Sequence, residues 1–316
     1  MISVTTRSLG WAMAKGPLVR HLRPSNRSPS TIMDAFDLTV NVRGHGWDWS
    51  RYRSYIPPET RPTNRVAFVF YAFISAVVHA LIFRAFHRAV LTLVPEGVGS
   101  IPERSTIFDD TLPFLVRYLR ASMISTFTAI WLYASFQMCY DLCTIPAVLV
   151  LRQDPAQWPP AFNAPWRLTS LSDFWGRRWH QFLRYTFLLL GYPLSFILGR
   201  AGGVIGAFLA SAVLHHIALC PLNSPIEFWW MLVGFGIMAP GILAERAFHQ
   251  TTGRQVGGAL GWVWTMSWLL VGGNVIVEGF ARGGMFVCSS LYDSASPIRE
   301  PVERLMIGFD AWLHTL

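Results

Sequence analysis

Long apolar runs, not amphipathic stripes, organise this chain. The first covers Val66–Val94 and is interrupted by His79, Arg84, His87 and Arg88. A second covers Ala121–Leu151, with Asp141 and Pro146 inside it. Phe182–Leu198 and Ala201–Cys220 form a pair separated by Gly199-Arg200, and Ile226–Ala244 and Ala259–Phe280 complete the series. Each is near the roughly 20 residues that a helix needs to cross a bilayer, the 182–198 run being the shortest. A soluble helix shows one apolar stripe, whereas these runs are apolar on every face. The pattern predicts an all-α integral membrane protein, a polytopic bundle of about six transmembrane helices.

The polar stretches divide the chain. Residues 1–33 carry Arg7, Lys15, Arg20, Arg23 and Arg27 and no acid, a basic segment expected to be disordered and similar in composition to a transit peptide. Residues 34–65 contain Asn41-Val42-Arg43-Gly44-His45-Gly46-Trp47-Asp48-Trp49, then Pro57-Pro58 and Pro62, and read as an aromatic loop packed against a membrane domain. The membrane-embedded domain is expected over 66–290 and a tail over 291–316. Basic residues dominate up to Arg65 and again in 152–181 (Arg152, Arg167, Arg177, Arg178). The 95–120 loop balances Arg104, Arg117 and Arg120 with Glu96, Glu103, Asp109 and Asp110. The bias predicts a cytosolic N-terminus and second loop, and a lumenal first loop.

Composition sharpens this. Hydrophobic residues make up 52% and charged residues 14%, where a soluble domain has about a quarter charged. Mean hydropathy is +0.36. The net charge of +8 would suggest nucleic acid in a soluble protein. Here the cations flank apolar runs, so they set topology and meet anionic headgroups, and no nucleic-acid partner is expected. The four cysteines, Cys139, Cys143, Cys220 and Cys288, form no CxxC and read as core thiols with no metal role. The Asn26-Arg27-Ser28 sequon lies on the predicted cytosolic side, where it is not used.

Two places put polar groups where apolar ones would cost less. In Ser170–Tyr185, Ser170, Ser172 or Asp173 can cap a helix start, and at helical spacing Asp173, Arg177, His180 and Arg184 share a stripe. Phe174, Trp175, Trp179, Phe182 and Leu183 fill the rest. This reads as an amphipathic helix at the membrane face, either an interfacial belt or a cationic strip suited to the phosphates of an acyl-CoA. In Phe208–Ile217, His215 and His216 interrupt an apolar helix, and an ionisable residue in a span is a functional candidate. Ser211, four residues before His215, can hold the imidazole in one tautomer. Gly202, Gly203, Gly206, Ala210 and Ala212 would let helices approach closely. The bland reading is a histidine satisfied by an interhelical hydrogen bond; His79 fits packing better than function. Acyl transfer to an alcohol needs the hydroxyl proton removed as oxygen attacks, work for a neutral imidazole, and a second polar group to hold the hydroxyl or the oxyanion.

The two segments together resemble the wax-synthase-like branch of the membrane-bound O-acyltransferase family. The residues that carry the resemblance are Phe174-Trp175-Gly176-Arg177-Arg178-Trp179-His180 and Ser211-Ala212-Val213-Leu214-His215, with Arg43-Gly44-His45-Gly46-Trp47 similar to a segment of fungal members. The resemblance implies a catalytic His215 with His180 at the partner position. Plant wax synthases have Asn there and usually Glu after the histidine, where this chain has His180 and His216. The implied reaction moves an acyl group, acetyl by preference, from acyl-CoA to a terpenoid or meroterpenoid alcohol of secondary metabolism, in the endoplasmic reticulum membrane. Arg177, Arg178 and Arg184 would meet the charged end of the acyl-CoA, Trp175 and Trp179 would join them in binding the substrate or CoA, and Ser211, His216 and Asp173 would be in support. Acyl-CoA would be a co-substrate, and no bound cofactor or metal is required. Rival readings are a long-chain wax ester synthase, a haem electron carrier using His79 with His215 or His216, and a non-catalytic lipid transporter. A desaturase lacks its histidine boxes, and no acidic cluster suits a terpene cyclase.

Overall fold

A computed structural model describes residues 2–12, 14, 16–21, 30–50, 55–94, 106–220, 227–286 and 298–316. The sequon and Cys288 lie outside these, as do Lys15, Arg23, Arg27, Glu96, Glu103 and Arg104. The regular structure of the described residues is helical, with no strand among them; the one β-bridge there joins Arg20 to Trp47. The helices are α1 (Ile2–Ala12), α2 (Thr31–Val40), α3 (Arg65–Leu93), α4 (Phe114–Leu149), α5 (Arg184–Leu219), α6 (Phe228–Gly236), α7 (Met238–Thr252), α8 (Gly258–Arg282) and α9 (Arg299–Leu313).

Four helical stretches are long and apolar enough to cross a membrane: α3, α5, α6 with α7 (Phe228–Thr252), and α8. The chain is thus an all-α membrane protein. The third and fourth apolar runs both fall in α5, which breaks between them at Gly199, with φ 57° and ψ −141°. That backbone region is open to glycine and closed to side chains with a Cβ. The 121–151 run lies in α4, whose hydroxyl residues dilute its apolarity. Thr126, Thr128 and Thr144 each donate to the carbonyl four residues back, at 2.8, 2.9 and 2.8 Å, so these groups are satisfied within the helix.

Two compact units divide the chain. Unit 1 holds Met1–Ser75, Tyr140–Ala210 and Ala239–Thr265. In it, the halves of α5 on either side of Gly199 fold back on each other. A Cβ on Gly206 would overlap the backbone of Gly191, and one on Gly202 the carbonyl of Leu194; the small residues permit backbone contact. The N-terminal segment expected to be disordered carries α1. Its Arg7 is buried and donates to the carbonyls of Leu38, Thr39 and Asn41, at 3.3, 2.9 and 3.0 Å. These are at the C-terminal end of α2, where carbonyls lack helical donors and a cation is favoured. Asp37 of α2 accepts from Arg20 (3.0 Å) and from Trp47 Nε1 (2.7 Å), tying the aromatic loop to the same place.

Unit 2 holds Ala76–Cys139, Ser211–Met238 and Met266–Leu316. Asn274 of α8 donates to Ser122 of α4 at 3.0 Å. Buried Glu278 accepts from Thr106, the amide of Ile107 and Arg282, at 3.0, 2.9 and 2.7 Å. The described part of the C-terminal tail carries the helix α9, held by Arg120 on Asp310 (2.6 Å) and by Arg88 on Glu303.

Candidate active site

In unit 1 the segment from Ser170 is not one amphipathic helix. Ser170 caps as expected, its Oγ accepting from Asp173 N at 3.0 Å. One turn, Leu171–Asp173, leads into a π-helical turn, Phe174–Arg178, closed by Trp179 N donating to Phe174 O at 2.9 Å. Trp179 is extended, and helix resumes only at Arg184. The wider turn moves the partner one residue on: Asp173 pairs with Arg178, not with Arg177, and the stripe expected at helical spacing does not form. Single π-turns recur at functional sites.

The cations divide by task. Arg178 also donates to the carbonyls of Asn163 (3.4 Å) and Ala164 (3.3 Å). Arg184 donates to Gly176 O at 2.5 Å and to Gln181 Oε1 at 3.0 Å. Gln181 Nε2 donates in turn to Trp179 O at 2.8 Å and Trp175 O at 3.2 Å. The Trp175 and Gly176 carbonyls of the π-turn are thus satisfied by side chains just beyond it. Arg177 is exposed and makes no hydrogen bond or ion pair with the described residues.

His180 is half-buried among rings: Phe182 stacks at 5.8 Å, with Trp179 at 5.6 Å and Phe162 edge-on at 6.1 Å. Behind Phe182 stands Arg43, its guanidinium 4.9 Å from the ring centre and donating to Pro160 O at 2.8 Å. Burial draws the Arg43 guanidinium below its ordinary pKa. Sequence reasoning did not reach this contact; its signal was the Arg-Gly-x-Gly-Trp loop. Gly44 has φ +65°, and its carbonyl accepts from Ser50 Oγ, so the loop turns back under Arg43. Trp175 meets Phe174 and Phe208 edge-on at 5.0 and 5.8 Å, and its buried Nε1 has no acceptor among the described residues.

In unit 2, His215 is held by its own helix. Nδ1 lies 2.8 Å from the Ser211 carbonyl and 3.3 Å from Ser211 Oγ. A carbonyl only accepts, so a neutral His215 carries its proton on Nδ1 and presents the lone pair on Nε2. The residue is the one the spacing indicated, but the tautomer is set by its carbonyl, not its hydroxyl. Phe235 lies 4.3 Å from the imidazole at 31°. His216 is edge-on to Phe228 at 5.2 Å, with its Nδ1 buried and without a partner among the described residues. His79 sits against Tyr133, with rings 5.4 Å apart. Among the described residues no group of three or more His, Cys, Asp or Glu could hold a metal ion.

The model of the membrane bound O-acyl transferase family matches residues 158–237, a stretch that contains Trp175–Arg184 and Ser211–His216. An acetyltransferase, aurG, of Calcarisporium arbuscula is 30% identical over 44% of this chain and 38% of its own length. A long-chain-alcohol O-fatty-acyltransferase of Simmondsia chinensis is 30% identical over 40% of this chain and 39% of its own. An acetyltransferase, ple2, of Rhodocybe pseudopiperita is 27% identical over 80% of this chain and 69% of its own. The chain therefore spans about two fifths of the length of the first two relatives. No solved structure matches.

Proposed function

We propose that this chain, which resembles the membrane-bound O-acyltransferases over its central segment, transfers an acyl group from acyl-CoA to the hydroxyl of a hydrophobic alcohol. The observation that carries the reading is the tautomer of His215, an imidazole in an apolar helix whose Nδ1–H is directed at the carbonyl of Ser211, which makes Nε2 the basic nitrogen of the ring. Nε2 takes the proton of the alcohol as its oxygen attacks the thioester carbonyl. The tetrahedral intermediate collapses, the C–S bond breaks, and the thiolate of CoA takes the proton back from the imidazolium. No covalent enzyme intermediate is needed.

The other residues have separate parts. His180 orients the hydroxyl or steadies the oxyanion. Arg177 meets the CoA phosphates, being the arginine of the π-turn without a partner among the described residues. Arg178 and Arg184, which hydrogen-bond to the turn's own surroundings, hold it in shape. Trp175 offers to the acyl-CoA an indole N–H that has no acceptor among the described residues. The alcohol arrives from the bilayer, and the acceptor favoured here is a terpenoid alcohol receiving acetyl, in the endoplasmic reticulum membrane.

Microsomes from yeast expressing the chain, supplied with labelled acetyl-CoA or palmitoyl-CoA and with terpenoid and fatty alcohols, test the reading. Acetyl ester on a terpenoid is the expected product. Palmitoyl ester on a fatty alcohol would make the chain a wax ester synthase. No ester above control microsomes with any pair would overturn the assignment.

A further inference from the structure

An acid in the Phe228–Thr252 span has a role the site does not yet include. Glu245 is buried, with 6% of its surface exposed. One carboxylate oxygen accepts from the amide of Leu171 (2.6 Å) and from Trp264 Nε1 (3.1 Å). The other accepts from the amide of Ser172 (3.0 Å) and its Oγ (2.6 Å). A carboxylate in an apolar helix is costly unless donors surround it, and here four do. Two of them are amides at the start of a helical turn, which have no carbonyl partner in the helix. Glu245 therefore caps that turn from another helix, with a charge suited to a helix start.

The capped turn runs directly into Phe174–Arg178. Ser170 already caps Asp173 N, so a stable turn does not need a buried acid from α7. What the acid adds is a fixed distance between the π-turn and the helices α7 and α8. The side chain of Arg177 has no partner among the described residues, so its backbone is what places it there. We infer that Glu245 is the positioning residue for acyl-CoA, holding the turn that carries Trp175 and Arg177; this rests on the role of that turn in the proposed function.

Two readouts separate the claims: binding of labelled acetyl-CoA to the purified protein, and ester formation with the donor and the alcohol varied in turn. Glu245→Ala should weaken acetyl-CoA binding and raise its KM about tenfold, since small misplacements of a binding group are costly. The KM for the alcohol should stay within about twofold, because the alcohol does not use this turn. Glu245→Gln keeps one oxygen for Leu171 and Trp264 and should fall between. Ser172→Ala, which removes one donor of four, should raise the acetyl-CoA KM about twofold and covers the case in which Glu245→Ala does not fold. Gln250→Ala, exposed on the same helix, should change neither constant. Unchanged acetyl-CoA binding in folded Glu245→Ala would overturn the inference, and so would equal losses for both substrates. Wild type that binds acetyl-CoA but makes no ester would overturn the transferase reading and leave the binding comparison decisive. Wild type that binds no acetyl-CoA would overturn both.

Discussion

The two histidines are held in opposite ways. His215 is fixed by one turn of its own helix, through the carbonyl of Ser211, and by the ring of Phe235. His180 sits outside any helix, among Phe162, Trp179 and Phe182, with Arg43 behind Phe182. A base that must present one nitrogen gains from a local bond that defines its tautomer. A partner that orients a substrate gains from a surface of rings whose position is set by several distant segments, and is exposed to a change in any of them.

Substitutions around each histidine can break the contrast. Short of replacing His215 itself, the largest effect is expected for His180→Ala, a loss of about 10²–10³ in kcat if the imidazole serves the oxyanion, read from initial rates of ester formation. An unchanged kcat would reduce His180 to packing. Next is Arg43→Lys, which keeps the charge but loses the planar fork on Phe182 and the Pro160 carbonyl. It should lower thermal stability by about 1.5–3 kcal/mol, measured as a fall in Tm in detergent. Phe235→Leu removes one ring contact of His215, worth about 0.5–1.5 kcal/mol, and should slow ester formation about twofold to tenfold. Ser211→Ala should have the smallest effect, less than about threefold in kcat, because the carbonyl that holds Nδ1 remains. A large loss there would assign the tautomer to the hydroxyl.

What could be read from sequence follows the same contrast. The apolar runs, the break at Gly199 and the Ser211–His215 pair are local, set by periodicity within one segment. So are the Ser170 cap and the close approach at Gly202 and Gly206. The π-turn was illegible because a 3.6-residue period assigns Asp173 to Arg177, whereas the wider turn gives it to Arg178. Glu245 was passed over because one acid just past the end of an apolar run, Ile226–Ala244, looks like a boundary charge. The order of α1 was hidden because Arg7 is satisfied by carbonyls more than thirty residues away. Each of these depends on contacts between segments, which spacing along one segment does not record.

The central claim is that His215 is the base of an acyl transfer. The most direct test is ester formation from labelled acyl-CoA by wild type and His215→Ala at matched protein levels, with acetyl-CoA binding measured on both. The account predicts a rate loss of about 10²–10⁴ with binding retained. Ester formed by the variant at the wild-type rate would contradict it.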